Sequence, residues 1–108
     1  MAPRAASYLA EAADELIAAQ AWYAKRSIDA AMRFTLAVES AIQQIVSAPN
    51  RWRAHLCDTR RFVLQDFPYV IVYYATSDLI WGVAVAHASR RPGYWKRRSK
   101  RWGWGTRR

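Results

Sequence analysis

Apolar residues recur at intervals of three and four over residues 9–23. Leu9, Ala12, Ala13, Leu16, Ala19 and Tyr23 form one stripe, and Glu11, Asp14, Glu15 and Gln20 fall between them. This spacing predicts a first amphipathic helix. The pattern breaks over residues 25–27 and resumes with Asp29 as the expected N-cap. Ala31, Phe34, Val38, Ala41, Ile42 and Ile45 then keep the same period until Pro49 and Asn50 end it. Two helices joined by so short a turn must lie antiparallel, and their apolar stripes require a second layer to cover them.

That layer follows, because the period changes after Asn50. Arg60, Phe62 and Leu64 alternate with Arg61 and Val63, Phe67-Pro68 punctuates, and residues 69–75 and 79–86 are dense in Val, Ile, Tyr and Trp around Thr76-Ser77-Asp78. Three strands in a meander are expected, with a further short strand before Tyr8. Helices first and hairpin-linked strands afterwards define an α+β fold. Two antiparallel N-terminal helices pack on one face of a small three- to four-stranded antiparallel sheet, and the other face is left for function. Residues 1–98 form the single domain, and 99–108 are expected to be a basic, Trp-containing, mobile tail.

Composition narrows the classes. At 108 residues and 53% hydrophobic the chain suits one core and not two. No apolar run is long enough to span a bilayer, so a cytoplasmic protein without a membrane role is expected. Cys57 is the single cysteine, which excludes an internal disulfide and a cysteine-based metal cluster. The net charge of +9 is unevenly placed: residues 1–50 carry four basic and five acidic groups, residues 51–108 thirteen and three. Such a field attracts phosphates or an acidic protein.

The candidate chemistry lies where the last strand ends, in His87-Ala88-Ser89-Arg90-Arg91-Pro92-Gly93-Tyr94-Trp95-Lys96-Arg97-Arg98. Imidazole, guanidinium and phenol groups gathered there suit phosphate binding and proton transfer. Because side chains alternate along a strand, Arg60 or Arg61 must point away from the helices, where it can join Arg90 or Arg91 on a phosphate. Arg51, Trp52, Arg53 and His55 form a second basic and aromatic run after Pro49. There is no glycine-rich phosphate loop and no histidine pair at metal-ligand spacing, so neither a metal nor another cofactor is expected. His, Arg and Tyr without a metal suit RNA cleavage by attack of its own 2′-hydroxyl.

The order of Ala12, Glu15-Leu16, Trp22-Tyr23, Phe34, Ile42, Ile45, Pro49, Arg61, Phe67-Pro68-Tyr69, Tyr73, Val85, His87, Arg90-Arg91-Pro92, Tyr94-Trp95 and Arg98 resembles the RelE/ParE superfamily of type II toxins. The resemblance implies a growth-inhibiting toxin held by a cognate acidic antitoxin. Its target would be mRNA on the ribosome for a RelE-like endoribonuclease, or DNA gyrase for a ParE-like inhibitor without catalysis. The ribonuclease is taken as the leading expectation, with a plain nucleic-acid-binding module as a further alternative. Carried over, the catalytic set would be His87 and Tyr94 as acid and base with Arg61, Arg90 and Arg91 on the phosphate. Arg60, Arg53, Lys96, Arg97 and Arg98 would bind nucleic acid. The chain departs from ribonuclease members in having no Lys in the strand meander and no Glu after Glu39.

Overall fold

The two helical stripes fold as α1 (Ala10–Ala24) and α2 (Ile28–Ser47) in a computed structural model that describes residues 5–104. Ser27, not Asp29, caps α2: its Oγ accepts from the Ala30 N–H at 3.1 Å. A capping oxygen must reach an N–H two or three residues on, and with the helix opening at Ile28 only Ser27 stands at that distance. Asp29 lies within the first turn and pairs with Arg33 one turn on, at 2.9 Å.

The expected meander is β3 (Arg60–Val63), β4 (Tyr69–Ala75) and β5 (Leu79–His87), and two short strands extend it, β1 (Ala5–Tyr8) and β2 (Arg53–Ala54). The order is β1-β5-β4-β3-β2. The helix pair packed on a sheet is as the pattern predicted. The sheet, however, is mixed: β1 runs parallel to β5, and the other neighbours are antiparallel. A parallel neighbour needs a crossover, and here α1 and α2 lie in the chain between β1 and the other four strands. Residues 1–4, also considered for that first strand, lie outside the described residues.

β5 carries one extra residue, Val83, between the pairs Val72–Ala84 and Tyr73–Gly82, which makes a β-bulge. Gly82 is required there by close contact. Its register partner is Tyr8, and a Cβ at Gly82 would stand 2.5 Å from Cδ1 of the Tyr8 ring.

On the helix side, Leu64, Ile71, Tyr73 and Ile80 meet Ala19, Phe34, Val38, Ala41 and Ile45. The Tyr73 hydroxyl donates to the Pro49 carbonyl, and burial pushes its pKa up to about 12. The opposite face was expected to be open, and much of it is covered by the chain's own end. Val72 and Ala84 pack with Trp95 and Trp104, 2% and 6% exposed. Helix α3 (Arg97–Trp102) ends at Gly103 in left-handed backbone, φ 82°, and this turn delivers Trp104 to the sheet. The Trp104 indole N–H donates to the Cys57 carbonyl at 3.0 Å, and its ring lies 5.5 Å from that of Tyr74. The segment set apart as a tail is therefore folded onto the domain as far as Trp104. Residues 105–108 of that tail lie outside the described residues.

Candidate functional site

Part of this second face stays open as a cleft of about 80 Å³ between β3 and the turn after β5. Arg61, His55, His87, Arg90, Arg91 and Tyr94 line it over a floor that includes Val70, Val72 and Ala86. It adjoins a shallower hollow of about 460 Å³ formed by Arg53, Ala54, His55, Leu56 and Arg61. Strand alternation decides between the paired arginines. Arg61 stands opposite Val72 and faces the cleft, while Arg60 stands opposite Tyr73 and donates from Nη1 to the Trp52 carbonyl at 2.8 Å. Register places Arg53 beside Arg61. Beyond β5, the Arg90 N–H closes a turn on the His87 carbonyl, and the Arg90 guanidinium lies 3.8 Å from the centre of the Tyr94 ring.

The expected acid and base are not poised as a pair. His87 Nδ1 accepts from the Ser89 backbone N–H at 3.0 Å and lies 2.8 Å from Ser89 Oγ, which anchors the ring within its own turn. The Tyr94 hydroxyl points into the protein, donating to Glu15 Oε2 at 2.5 Å. Burial first, and then the hydrogen bond to Glu15, raise its pKa well above the ordinary phenol value. It is a structural donor in this position.

Glu15 organises that region. Its Oε1 accepts from the Val85 backbone N–H at 3.0 Å, and Arg98 grips the carboxylate at both oxygens, at 3.0 and 2.9 Å. Arg98 also donates to the Val83 carbonyl at 2.8 Å. Its side chain is only 15% exposed. Arg98 was expected to meet nucleic acid, and the structure instead closes it over the edge of β5. Lys96 and Arg97 are exposed at the start of α3, and neither lines the cleft. The sequence pattern set Glu15 among the polar residues between the apolar positions of the first helix. Yet it stands three after Ala12 and four before Ala19, both buried, and this places it within the apolar stripe.

His55, read from sequence as part of the basic and aromatic run after Pro49, is the other group with a defined environment. Burial, followed by the positive charge of Arg61 and Arg53, holds its pKa below the ordinary imidazole value. The unfolded chain then takes up this proton before the folded one as pH falls. Stability should therefore decline as pH drops through about 6.5 toward the lower folded value. Urea denaturation at about pH 7.5 and about pH 5 should show this decline reduced in His55→Gln.

The helix side has a surface of a different kind. Ile28, Met32 and Leu36, at successive four-residue steps of α2, are exposed, and Leu36 runs on into a hollow of about 600 Å³ shared with Trp52, Phe62 and Val63. Among the described residues no group of three or more His, Cys, Asp or Glu is placed to hold a metal, and no helix is long and apolar enough to cross a membrane.

A helix hairpin on a small mixed sheet, with a cationic cleft at the end of the last strand, defines the RelE/ParE class of small toxins. Residues 7–92 match the family of the ParE toxin of the type II toxin-antitoxin system, parDE, and the chain belongs to that family. In three dimensions it is similar to a chain titled "Chromosomal ParDE TA system from P. aeruginosa", with a TM-score of 0.66 and 13% identity over 78% of this chain and 95% of that one. At that identity the likeness is one of fold. No curated protein matches in sequence. Family membership makes the chain a toxin with an antitoxin as its partner. It also overturns the expected endoribonuclease, because the family matched is that of ParE, a class that typically acts as a gyrase poison without catalysis.

Proposed function

We propose that this toxin arrests growth by binding DNA gyrase, without bond-breaking chemistry, and that an acidic antitoxin segment lying along α2 holds it inactive. The observation that carries the reading is Tyr94. Its hydroxyl is turned into the protein and donates to Glu15, so its proton is not aimed at a leaving group in the cleft. Purified toxin should block supercoiling by gyrase and leave mRNA on translating ribosomes intact. Tyr94→Phe removes one hydrogen bond, worth about 1 kcal/mol, so toxicity should fall only as far as the amount of folded protein does. If this variant stays folded by its melting curve and loses toxicity outright, the reading fails.

The antitoxin contact follows from Ile28, Met32 and Leu36. Three apolar side chains on one exposed helix face fit the apolar face of a partner helix, while the basic second half of the chain attracts its acids. Met32→Asp and Leu36→Asp should each weaken the complex by about 2 kcal/mol, a factor of ~30, if these residues sit at the centre of the interface. Calorimetric titration with the antitoxin measures this. Unchanged affinity in both variants would place the antitoxin elsewhere.

A further inference from the structure

We propose that the cleft between β3 and the turn after β5 binds one phosphodiester of a DNA duplex, gripped by Arg61, Arg90 and Arg91 with His55 and His87, and with Arg53 on the approach. The charge there is uncompensated. No acidic side chain lines the cleft or the adjoining hollow, and none of the four arginines belongs to any of the ion pairs found among the described residues. Three arginines elsewhere are paired with acids: Arg33 with Asp29, Arg98 with Glu15, Arg101 with Glu11. Beside burial, the charge of Arg61 and Arg53 lowers the affinity of His55 for its proton, and that part an anion would relieve.

Shape selects the ligand within the phosphate class. About 80 Å³ is room enough for a phosphoryl group. Proteins that hold single strands stack bases on exposed aromatic rings. Here Trp95 is buried, and the Tyr94 ring is covered by Arg90. A cleft with guanidinium walls, whose large aromatic rings are buried or covered, favours backbone over bases, which is how a duplex is met from outside. That the duplex is DNA rests on the reading of the protein as a gyrase inhibitor, since gyrase acts on duplex DNA.

The test uses the full chain, freed from its antitoxin. Fluorescence anisotropy would measure binding to a short duplex DNA, to one of its strands alone, and in competition with inorganic phosphate. The duplex should bind more tightly than the strand. Arg61→Gln and Arg90→Gln should each weaken it ~10-fold and lower the slope of log K against log salt by about 0.9. Arg97→Gln, exposed on α3 outside the cleft, should change affinity much less. Imidazole NMR supplies a second readout: the duplex should raise the His55 pKa, and inorganic phosphate at high concentration should do so weakly. Equal losses in Arg61→Gln and Arg97→Gln, tighter binding of the single strand, or a response to phosphate with none to duplex would each overturn the proposal. Gyrase inhibition measured in parallel keeps the two readings apart. A toxin that binds duplex and spares gyrase refutes the gyrase target, whereas one that blocks gyrase and leaves the His55 resonance unmoved refutes the cleft.

Discussion

Trp104→Ala should lower stability by about 3 kcal/mol, and with it the melting temperature by roughly 12–24 °C, while Trp102→Ala should cost under ~1 kcal/mol. The two residues stand two apart in a run of Lys, Arg, Trp and Gly, and their environments are opposite. Trp102 is 47% exposed and offers its indole N–H to Glu11 at the surface. Trp104 is buried against Val72, Ala84 and Tyr74, and its N–H satisfies the Cys57 carbonyl. Removing that ring uncovers apolar sheet and leaves a carbonyl without its partner. A tail without fixed packing would make the two substitutions equal and small, so thermal denaturation of the pair tests whether the chain end belongs to the core.

The sequence carried a sign of this packing in its strands. A sheet with one solvated face alternates apolar and polar residues, whereas Tyr69–Ala75 and Leu79–His87 are apolar at almost every position. Continuous apolar strands mean that both faces are covered. The helices account for one cover, and the Trp-containing end is a source of large apolar side chains for the other. The same reasoning reaches Arg61. Alternation required one arginine of the pair to turn from the helices, and register against Val72 selects it. What could not be read is equally physical. The bulge at Val83 lies in a run where neighbouring residues are interchangeable by hydropathy, and β2 is two residues long, too short to carry a period. β1 pairs with a strand more than seventy residues away, and no local pattern encodes that partner.

Glu15 and Arg98 were legible in a different sense: each was visible, and each was given to solvent or to a ligand because charged side chains usually face outward. Their pairing predicts the second large effect. Arg98→Ala strips two hydrogen bonds from the Glu15 carboxylate and one from the Val83 carbonyl, leaving a partly buried charge facing the Tyr94 hydroxyl and the Val85 N–H alone. Breaking such a pair from one side should cost about 3 kcal/mol, and Glu15→Ala a comparable amount, since it frees Val85, Tyr94 and Arg98 together. The double variant should cost less than the sum by roughly 1–3 kcal/mol, because the second substitution removes a group already orphaned by the first. Urea unfolding of the four proteins closes this cycle. The same variant separates a structural arginine from a ligand-binding one. At a temperature where Arg98→Ala remains folded, its salt dependence for duplex DNA should match that of the parent, whereas loss of a phosphate contact would lower the slope by about 0.9. A lowered slope with unchanged stability would return Arg98 to the DNA-binding surface and leave the edge of β5 to be closed by Glu15 alone.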